Sequence, residues 1–590
     1  MRTFFLETVK NMKHFLSRVL VVVLGVFMSL LLLIGLATLL LRPGKPQLTR
    51  KTVLHVALQG NVVERSNDSW GRLIQDDQEA AVDLLALKEA IKHAQKDKNI
   101  PGIYLEIGRL RAGWASLEEI REALLSFKKA GKFIVAYGEG YTQKTYYLAS
   151  SADDIVLHPA GMFPWQGLHQ TVFFYKALFD KLEITPQVFR VGSYKSAVEP
   201  FMRQDMSPAS KRQSAVLLKS IYHHFLQQVA TTRTLKKASL AALADTSVVM
   251  LPQDAHQAKL VTQIGHVDSA ESLIKTKLDV DPEATIHYIA YDEYASLKRT
   301  SPASKNQVAV LVAEGPIVDG NGTPGTIGAK TLAADLKALR EDDAVKAVVL
   351  RINSPGGSAL ASDVLWHELR RTKEKKPVVA SLSDVAASGG YCLAAACDRI
   401  VAQPTTITGS IGIFGLFFDV DALLKNKLGI TTDVAKLGNS ADLLSNPGRA
   451  ITVREKTIIQ RIIDEGYTTF LQRVATGRGL DIKAVERVAS GRVWSGMDAQ
   501  AKGLVDDLGS LEDAIRAASE LAAIPKDYTI SYWPKPQSLY GQLFKRGKSS
   551  TSQLETLTVL QNTFPAWKSL QLLTNMRGIQ ARLPYEVEIE

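Results

Sequence analysis

Ser388 stands in the segment AASGGYCLAAA, residues 386–396, directly ahead of a run that is typical of a helix. A serine placed at the mouth of a helix can act as a nucleophile if a neighbouring group takes its proton. No histidine follows Ser388, and the nearest one before it is His367. An isolated Ser-Gly-Gly is far more often a helix cap or a site of close packing. Ser388 is therefore a catalytic candidate only if other residues supply its partners.

The chain contains an internal repeat that shows which elements must position this serine. Residues from Ile100 onward align without a gap with residues from Val345 onward, at a shift of 245 positions. Short β-branched runs such as AVVLRIN and PVVASL alternate with helical stretches such as ALASDVLWHELRRT. This alternation predicts buried parallel strands in βαβ units, with ligands bound where loops leave the strand ends. We predict two copies of one α/β domain, over residues 47–295 and 303–535.

The two copies differ where chemistry could occur. In the second copy a strand runs into SPGGS, residues 354–358, whose glycines let backbone amides approach a ligand. In the first copy Arg111 and Ala112 replace those glycines, and Gln143 replaces Ser388. A lone PGG favours a tight strand-to-helix turn, and it lacks the Lys-Ser/Thr of a phosphate-binding loop. The glycine-rich segment 354–358, here called the amide cradle, and Ser388 are both missing from the first copy. This joint loss favours a catalytic role for Ser388 in the second copy.

A candidate base comes from the first copy. Lys195, in VFRVGSYKSAVEPF, falls on Asn439 of the second copy at a shift of 244 positions. The second copy thus has the serine but no lysine, and the first copy has the lysine but no serine. This reciprocal loss indicates one site assembled from both copies. A lysine accepts a proton only when its amine is neutral, a state that burial favours. Taken alone Lys195 would be a solvated surface residue, but the reciprocal loss favours a Ser388–Lys195 pair.

The N-terminus predicts a membrane anchor. Residues 19–41 form a run of 23 residues without a charge, framed by Arg18 and Arg42. At about 1.5 Å per residue such a helix spans a hydrocarbon core of about 30 Å. The run ends in leucines rather than small residues, which favours an uncleaved anchor over residues 1–46 against a cleaved signal peptide. Basic residues balance on its two sides, so charge alone does not decide the orientation.

The composition excludes several classes of protein. The net charge of +11 is modest for 590 residues, and no basic stripe with interleaved aromatics indicates nucleic acid. The charge fits some affinity for anionic lipid head groups. Cys392 and Cys397 are the only cysteines. We expect both to pack as small apolar residues and to form neither a disulfide framework nor a metal site.

Four motifs together, INSPGGS, AASGGY, TGSIGIFG and RVGSYKSAVEPF, resemble those of peptidase family S49, the signal peptide peptidase A or protease IV family. The chain is similar to its long, tandem-repeat bacterial form from the anchor to about residue 535. The resemblance implies that Ser388 is the nucleophile, Lys195 the general base and Ser410 a serine that orients the lysine. It implies an oxyanion hole formed by the amides of Gly357 and Gly389.

The resemblance also implies an architecture and a location. Each repeat would have a crotonase-like, or Clp-protease-like, fold. The protein would be a homotetramer attached to the bacterial cytoplasmic membrane by a single span, with its catalytic part facing the periplasm. Its substrates would be cleaved signal peptides and other apolar peptides, with no cofactor and no metal. The last stretch, residues 536–590, mixes apolar and basic residues and predicts either membrane-lying amphipathic helices or a partly ordered tail.

Two alternatives belong to other classes. A crotonase-type acyl-CoA enzyme would share the fold and a pair of oxyanion amides, but it would need no activated serine. An inactive scaffold that organises membrane proteins would need no catalytic residue at all. The set of Ser388, Lys195 and Ser410 favours the peptidase over both.

Overall fold

The computed structural model describes residues 48–66, 81–247, 249–297, 304–443, 445–446, 448–535 and 578–583, together with Ile589 and six residues between 21 and 29. Most of the predicted anchor, 19–41, and most of the predicted tail, 536–590, therefore lie outside the described residues. Within the part of the chain that is described, no helix has the length and apolar character needed to cross a membrane.

The first repeat is built on a parallel sheet. Its strand order is β10-β1-β3-β4-β5-β9, with β2 beside β1, and every pair in it is parallel. Strands buried on both faces are apolar rather than alternating. In β3 the first four residues, 102–105, are all buried, and the charged residues lie toward its exposed end. The strands up to residue 290 are β1 Val53–Val63, β2 Ala81–Asp83, β3 Gly102–Arg111, β4 Phe133–Gly138, β5 Asp154–Leu157, β6 Phe163–Pro164, β7 Thr185–Arg190, β8 Val249–Met250, β9 Gln263–Ile264 and β10 Tyr288–Ala290.

Helices connect these strands. The longest runs from Pro208 to Arg233 and begins with the side chain of Ser207 accepting the N–H of Ser210. A short 3₁₀ turn, Ser196–Val198, directly follows Lys195. The helices are α1 Leu84–Lys96, α2 Trp114–Lys129, α3 Gln143–Ala149, α4 Lys176–Leu182, α5 Glu199–Met202, α6 Pro208–Arg233, α7 Lys237–Thr246, α8 Pro252–Gln257, α9 Val267–Leu278 and α10 Tyr291–Leu297.

The second repeat has a matching sheet, of order β20-β18-β16-β14-β11-β22, with β17 beside β16 and β21 beside β17. All its pairs are parallel except β18 with β20. The predicted strands AVVLRIN and PVVASL lie in β14 and β16. The strands are β11 Gln307–Glu314, β12 Ile317–Val318, β13 Ile327–Gly328, β14 Val345–Ser354, β15 Gly356–Ser358, β16 Val378–Ala387, β17 Arg399–Ala402, β18 Ile407–Gly409, β19 Phe414–Asp419, β20 Val493–Ser495, β21 Asp507–Leu508, β22 Thr529–Trp533 and β23 Gly578–Arg582.

The helices of the second repeat follow the same plan. The predicted helix ALASDVLWHELRRT lies in α12, and α14 has the same 26-residue length as its counterpart α6. A π-helical turn spans Leu423–Lys427. The helices are α11 Ala329–Glu341, α12 Ala359–Lys373, α13 Gly389–Ala395, α14 Val453–Arg478, α15 Ile482–Val488, α16 Gly496–Ala501 and α17 Leu511–Leu521. The predicted α/β class and its duplication are confirmed.

A third sheet joins the two repeats, and the sequence pattern did not predict it. Its order is β13-β12-β15-β23-β19-β7. Strand β7 comes from the first repeat and pairs antiparallel with β19 of the second, from Arg190 opposite Phe414 to Thr185 opposite Asp419. This pairing carries the chain that follows β7, including Lys195, into the second repeat.

Candidate active site

Ser388 lies on a sharp turn between β16, which ends at Ala387, and helix α13, which begins at Gly389. Its backbone has φ 55° and ψ −114°, and a residue other than glycine seldom adopts a positive φ. Two hydrogen bonds hold it there: its N–H donates to the Gly409 carbonyl at 2.8 Å, and its carbonyl accepts the Cys392 N–H at 2.9 Å. Backbone strain held by surrounding structure is typical of sites where one side chain must be aimed.

Lys195 reaches Ser388 across 193 positions of the sequence. Its Nζ lies 2.8 Å from the Ser388 Oγ and 3.0 Å from both the Oγ and the carbonyl oxygen of Ser410. All three residues are fully buried. The structure therefore brings together the three side chains that the sequence analysis singled out, and it does so within one chain.

The contacts of Lys195 suit a neutral amine. A neutral amine has two N–H groups and one lone pair. The Ser410 carbonyl can only accept, so it takes one N–H, and the Ser410 hydroxyl can take the other. The lone pair is then left for the Ser388 O–H. Burial lowers the pKa of Lys195 well below its ordinary value, because an ammonium here is stripped of water.

The loop that carries Lys195 docks against residues 490–493 of the second repeat. The Tyr194 N–H donates to the Ser490 carbonyl at 3.0 Å. Gly491, at φ +79°, lies so close that a Cβ added there would be 2.6 Å from the Lys195 Cβ. A side chain at residue 491 would therefore displace the base.

Gln213 of helix α6 fastens the same loop from the other side. Its Nε2 donates to the Tyr194 carbonyl at 3.2 Å and to the Ser196 Oγ at 3.0 Å. Its Oε1 accepts the Val493 N–H at 3.2 Å, which ties the loop to the second repeat. Sequence reasoning missed both Gly491 and Gln213, because neither lies in a motif and their partners are distant along the chain.

The predicted amide cradle forms strand β15. Gly356 has φ +89°, and the N–H of this residue donates to the Ser354 Oγ at 3.2 Å. Gly357 pairs with Ile317 of β12 on one side. Gly389 follows the serine as the first residue of helix α13. The turn after β14 and the start of α13 thus lie side by side, since Ser354 and Ala386 are register partners in the main sheet.

The positions equivalent to Ser388 and Lys195 in the opposite repeat have other roles. Gln143, which replaces Ser388, is buried, and its Oε1 accepts the N–H groups of Gln166 and Gly167 at 2.7 and 2.8 Å. Asn439, which replaces Lys195, is exposed. In the first repeat, the side chain at the position of the serine therefore holds the loop at residues 166–167 by hydrogen bonds.

A buried ion cluster joins the repeats behind the serine. Arg351 of β14 makes five hydrogen bonds: two to Glu64, one to Glu119 and one each to Ser381 and Ser383. Burial lowers the pKa of the guanidinium, but the two carboxylates outweigh burial and raise it. Glu64 and Glu119 belong to the first repeat, whereas both serines lie on β16, the strand directly before Ser388. The cluster thus connects the first repeat to the strands that position the catalytic candidates.

The two cysteines take no part in this site. Both are buried and free. Burial raises the pKa of the Cys392 thiol to about 12, so this thiol stays protonated at neutral pH. The expected apolar packing role of Cys392 and Cys397 is consistent with their place in the core of the second repeat.

Known proteins resemble this chain over most of its length. The profile of peptidase family S49 matches it twice, over residues 126–281 and 370–525. Protease 4 of Salmonella typhi is 38% identical over 466 residues, which are 77% of this chain and 75% of that protein. The chloroplastic serine protease SPPA of Arabidopsis thaliana is 34% identical over 542 residues, 90% of this chain and 77% of that protein.

Among solved structures, a ClpP1 mutant from Listeria monocytogenes gives a TM-score of 0.24 at 14% identity, covering 35% of this chain and 94% of that one. The family membership does not depend on that match. It follows from the two profile matches and from relatives that align with most of both chains. The chain belongs to peptidase family S49 and is a serine peptidase.

Proposed function

We propose that this peptidase uses Ser388 as its nucleophile and Lys195 as its general base. The observation that carries the proposal is the contact of 2.8 Å between the Lys195 Nζ and the Ser388 Oγ inside a fully buried site. Ser410 is the positioning residue, because both of its oxygens lie 3.0 Å from the same Nζ. The amides of Gly357 and Gly389 form the oxyanion hole.

Each step follows from these contacts. The Ser388 Oγ attacks the peptide carbonyl carbon while its proton passes to the neutral Lys195 amine. The tetrahedral oxyanion is stabilised by the N–H groups of Gly357 and Gly389. The carbon–nitrogen bond then breaks, and the lysine ammonium returns the proton to the leaving amine. Water, deprotonated by the same amine, hydrolyses the acyl-serine and regenerates the free hydroxyl.

The same contacts speak against the alternatives. A crotonase-type acyl-CoA enzyme needs oxyanion amides but no base aimed at a serine. An inactive scaffold has no use for a buried lysine that has no anionic partner among the described residues, since such a lysine destabilises the fold. The Ser388–Lys195 contact therefore favours the peptidase mechanism.

We further propose the substrate class and location. Cleaved signal peptides and other apolar peptides are the substrates. The charge-free run of residues 19–41 would anchor the chain in the bacterial cytoplasmic membrane, with its catalytic part facing the periplasm. A homotetramer of chains with crotonase-like repeats, resting on the lipid bilayer, completes the proposal, which needs no cofactor.

The test combines labelling and pH. A fluorophosphonate probe should label Ser388 in the full-length protein, and Ser388→Ala should abolish both labelling and cleavage of an apolar peptide. Lys195→Arg should lose activity to a similar extent, because a guanidinium stays protonated. Lys219→Arg, a matched change at an exposed lysine, should leave activity unchanged.

The pH profile has a defined sign. Activity should fall as the pH falls through the lowered pKa of Lys195, since an ammonium cannot accept the serine proton. Full activity in Lys195→Arg, or labelling that persists in Ser388→Ala, would contradict the mechanism.

A further inference from the structure

Arg492 lies in the segment against which the loop of residues 191–196, here called the lysine loop, docks. The Cζ of its guanidinium lies 5.0 Å from the centroid of the Tyr194 ring and 4.0 Å from that of the Trp494 ring. Tyr194 directly precedes Lys195, whereas Trp494 belongs to β20 of the second repeat. A guanidinium within about 6 Å of a ring is attracted by the ring face, and its plane can stack on it. Arg492 therefore connects the neighbour of the proposed base to the second repeat.

The rings, rather than a hydrogen-bond acceptor at Nε, hold the side chain of Arg492. Its Nε is buried and has no hydrogen-bond partner within the described part of the chain. Trp494 is itself fixed, because its ring N–H donates to the Val488 carbonyl at 2.9 Å and its side chain packs in the core of the second repeat. The guanidinium thus lies over one fixed ring and over a second ring that belongs to the lysine loop.

The backbone of Arg492 holds Ser410. The Ser410 N–H donates to the Arg492 carbonyl at 2.7 Å, and the neighbouring residues Gly409 and Val493 are register partners between β18 and β20. Both oxygens of Ser410 in turn lie 3.0 Å from the Lys195 Nζ. One residue therefore holds the partner of the lysine amine through its carbonyl, and the residue before the lysine through its guanidinium.

The protonation of Lys195 depends on how completely the docked loop excludes water. Burial lowers the pKa of Lys195 well below its ordinary value. Backbone encloses the stem of the side chain: a Cβ added at Gly412 would be 3.3 Å from the Lys195 Cδ, and one added at Gly491 would be 2.6 Å from its Cβ. A looser loop would admit water, favour the ammonium and raise this pKa.

The other charged groups near the loop do not contact the amine. The Arg190 Nη1 lies 3.4 Å from the Lys195 carbonyl oxygen and 3.7 Å from the Glu199 Oε1. The Lys502 Nζ lies 4.3 Å from the centroid of the same indole ring that Arg492 covers. Within the described residues, the polar contacts of the Lys195 Nζ are with two serines. Burial, rather than a neighbouring charge, therefore lowers the pKa of this lysine.

We propose that Arg492 is a positioning residue for the base, which acts through Tyr194 to keep the lysine loop docked and the Lys195 amine out of water. The inference rests on the roles proposed above for Ser388 and Lys195. The plane of the guanidinium matters as well as its charge, because the compact ammonium of a lysine offers no plane to stack on a ring. Removing the guanidinium should therefore change the protonation of Lys195 and leave both repeats folded.

The test follows fluorophosphonate labelling of Ser388 against pH in the full-length protein. Arg492→Met should move the acid limb of the profile upward by about one pH unit, so that labelling below the wild-type midpoint slows about tenfold. At a pH above both midpoints the lysine is neutral in either protein, and labelling should return to the wild-type rate. Circular dichroism should show that the variant remains folded.

Two further variants test the route through the ring. Arg492→Lys keeps the charge but loses the stacking plane, so it should also move the acid limb upward. Tyr194→Leu removes the ring at the other end of the contact and should resemble Arg492→Met. The double variant should be shifted no further than either single variant, because both remove the same contact.

Lys502→Met is the matched control. Lys502 lies over the Trp494 ring, but among the described cations only Arg492 lies over both Trp494 and Tyr194. The control removes an equal charge from the same ring and should leave the pH profile unchanged. A shift as large as that of Arg492→Met would show an effect of charge alone and would overturn the inference.

Three other results would decide against the inference. If Arg492→Met is labelled more slowly at every pH with an unmoved midpoint, Arg492 supports only the fold. If Arg492→Lys keeps the wild-type profile, the stacking plane has no role. If the wild type is not labelled at Ser388, or its labelling has no acid limb, the proposed function itself fails, a result that is visible before any variant is made.

Discussion

Replacing Arg351 by methionine should lower the free energy of unfolding more than a substitution at an exposed position does, because it disrupts the junction between the repeats. Arg351 is fully buried, and its guanidinium pairs with Glu64 through contacts of 2.9 and 3.2 Å and with Glu119 at 2.7 Å. Methionine fills a similar volume but leaves these carboxylates without the cation. Glu119 keeps Lys88 as a partner, whereas the Glu64 carboxylate keeps the Ser383 hydroxyl and has no other cation paired with it among the described residues.

The magnitude follows from that asymmetry. Removing one partner of a buried ion pair typically costs about 3–5 kcal/mol, because the remaining charge stays buried without compensation. We expect a loss in this range, which corresponds to about a hundredfold to several thousandfold in the folding equilibrium. Adding Glu64→Gln to Arg351→Met should recover part of the loss, since the uncompensated charge is then removed.

The assay is urea unfolding of the full-length protein at neutral pH, followed by circular dichroism, together with Ser388 labelling. Labelling should slow as well, because Arg351 holds both β14, which leads to Gly357, and β16, which leads to Ser388. Arg371→Met is the matched control: this arginine is exposed on helix α12 and pairs with Glu368, three residues away on the same helix. It should leave the unfolding curve unchanged.

Two outcomes would refute the reasoning. If Arg351→Met unfolds within about 1 kcal/mol of the wild type, the cluster does not stabilise the junction. If the double variant is less stable than Arg351→Met, the loss does not come from the uncompensated charge on Glu64.

Two further predictions concern single hydrogen bonds and charges. Ser410→Ala removes one of the hydroxyl contacts of Lys195 but keeps the carbonyl contact. Labelling of Ser388 should therefore slow about fivefold, from a hydrogen bond worth about 1 kcal/mol, while the thermal midpoint changes little. Near-normal labelling would contradict its positioning role. Burial, followed by the nearby charge of Glu64, raises the pKa of Glu314 from 4.5 to about 7, so its contribution to stability is present below pH 4.5 and is lost as the pH rises to 7. Glu314→Gln should therefore raise the thermal midpoint above pH 7 but not near pH 4.5, and an equal shift at both pH values would count against this explanation.

The sequence by itself determined the repeat, the α/β class and the identity of the catalytic candidates. Buried parallel strands and their helices have local signatures, so AVVLRIN and ALASDVLWHELRRT indicate their own structure. Comparing the two copies then isolated Ser388 and Lys195, because Gln143 and Asn439 stand at the equivalent positions. This comparison needs no three-dimensional information.

Only the tertiary structure decided how these residues meet. The contact of Lys195 with Ser388 depends on β7 pairing with β19, and the lysine loop depends on Gly491 and Gln213. No local pattern encodes such pairings, since their partners lie hundreds of residues apart and are selected by complementary edges and buried charges. The same holds for β23, which pairs with β15 on one side and with β19 on the other. These two strand edges come from distant parts of the chain, and their backbone N–H and C=O groups need hydrogen-bond partners.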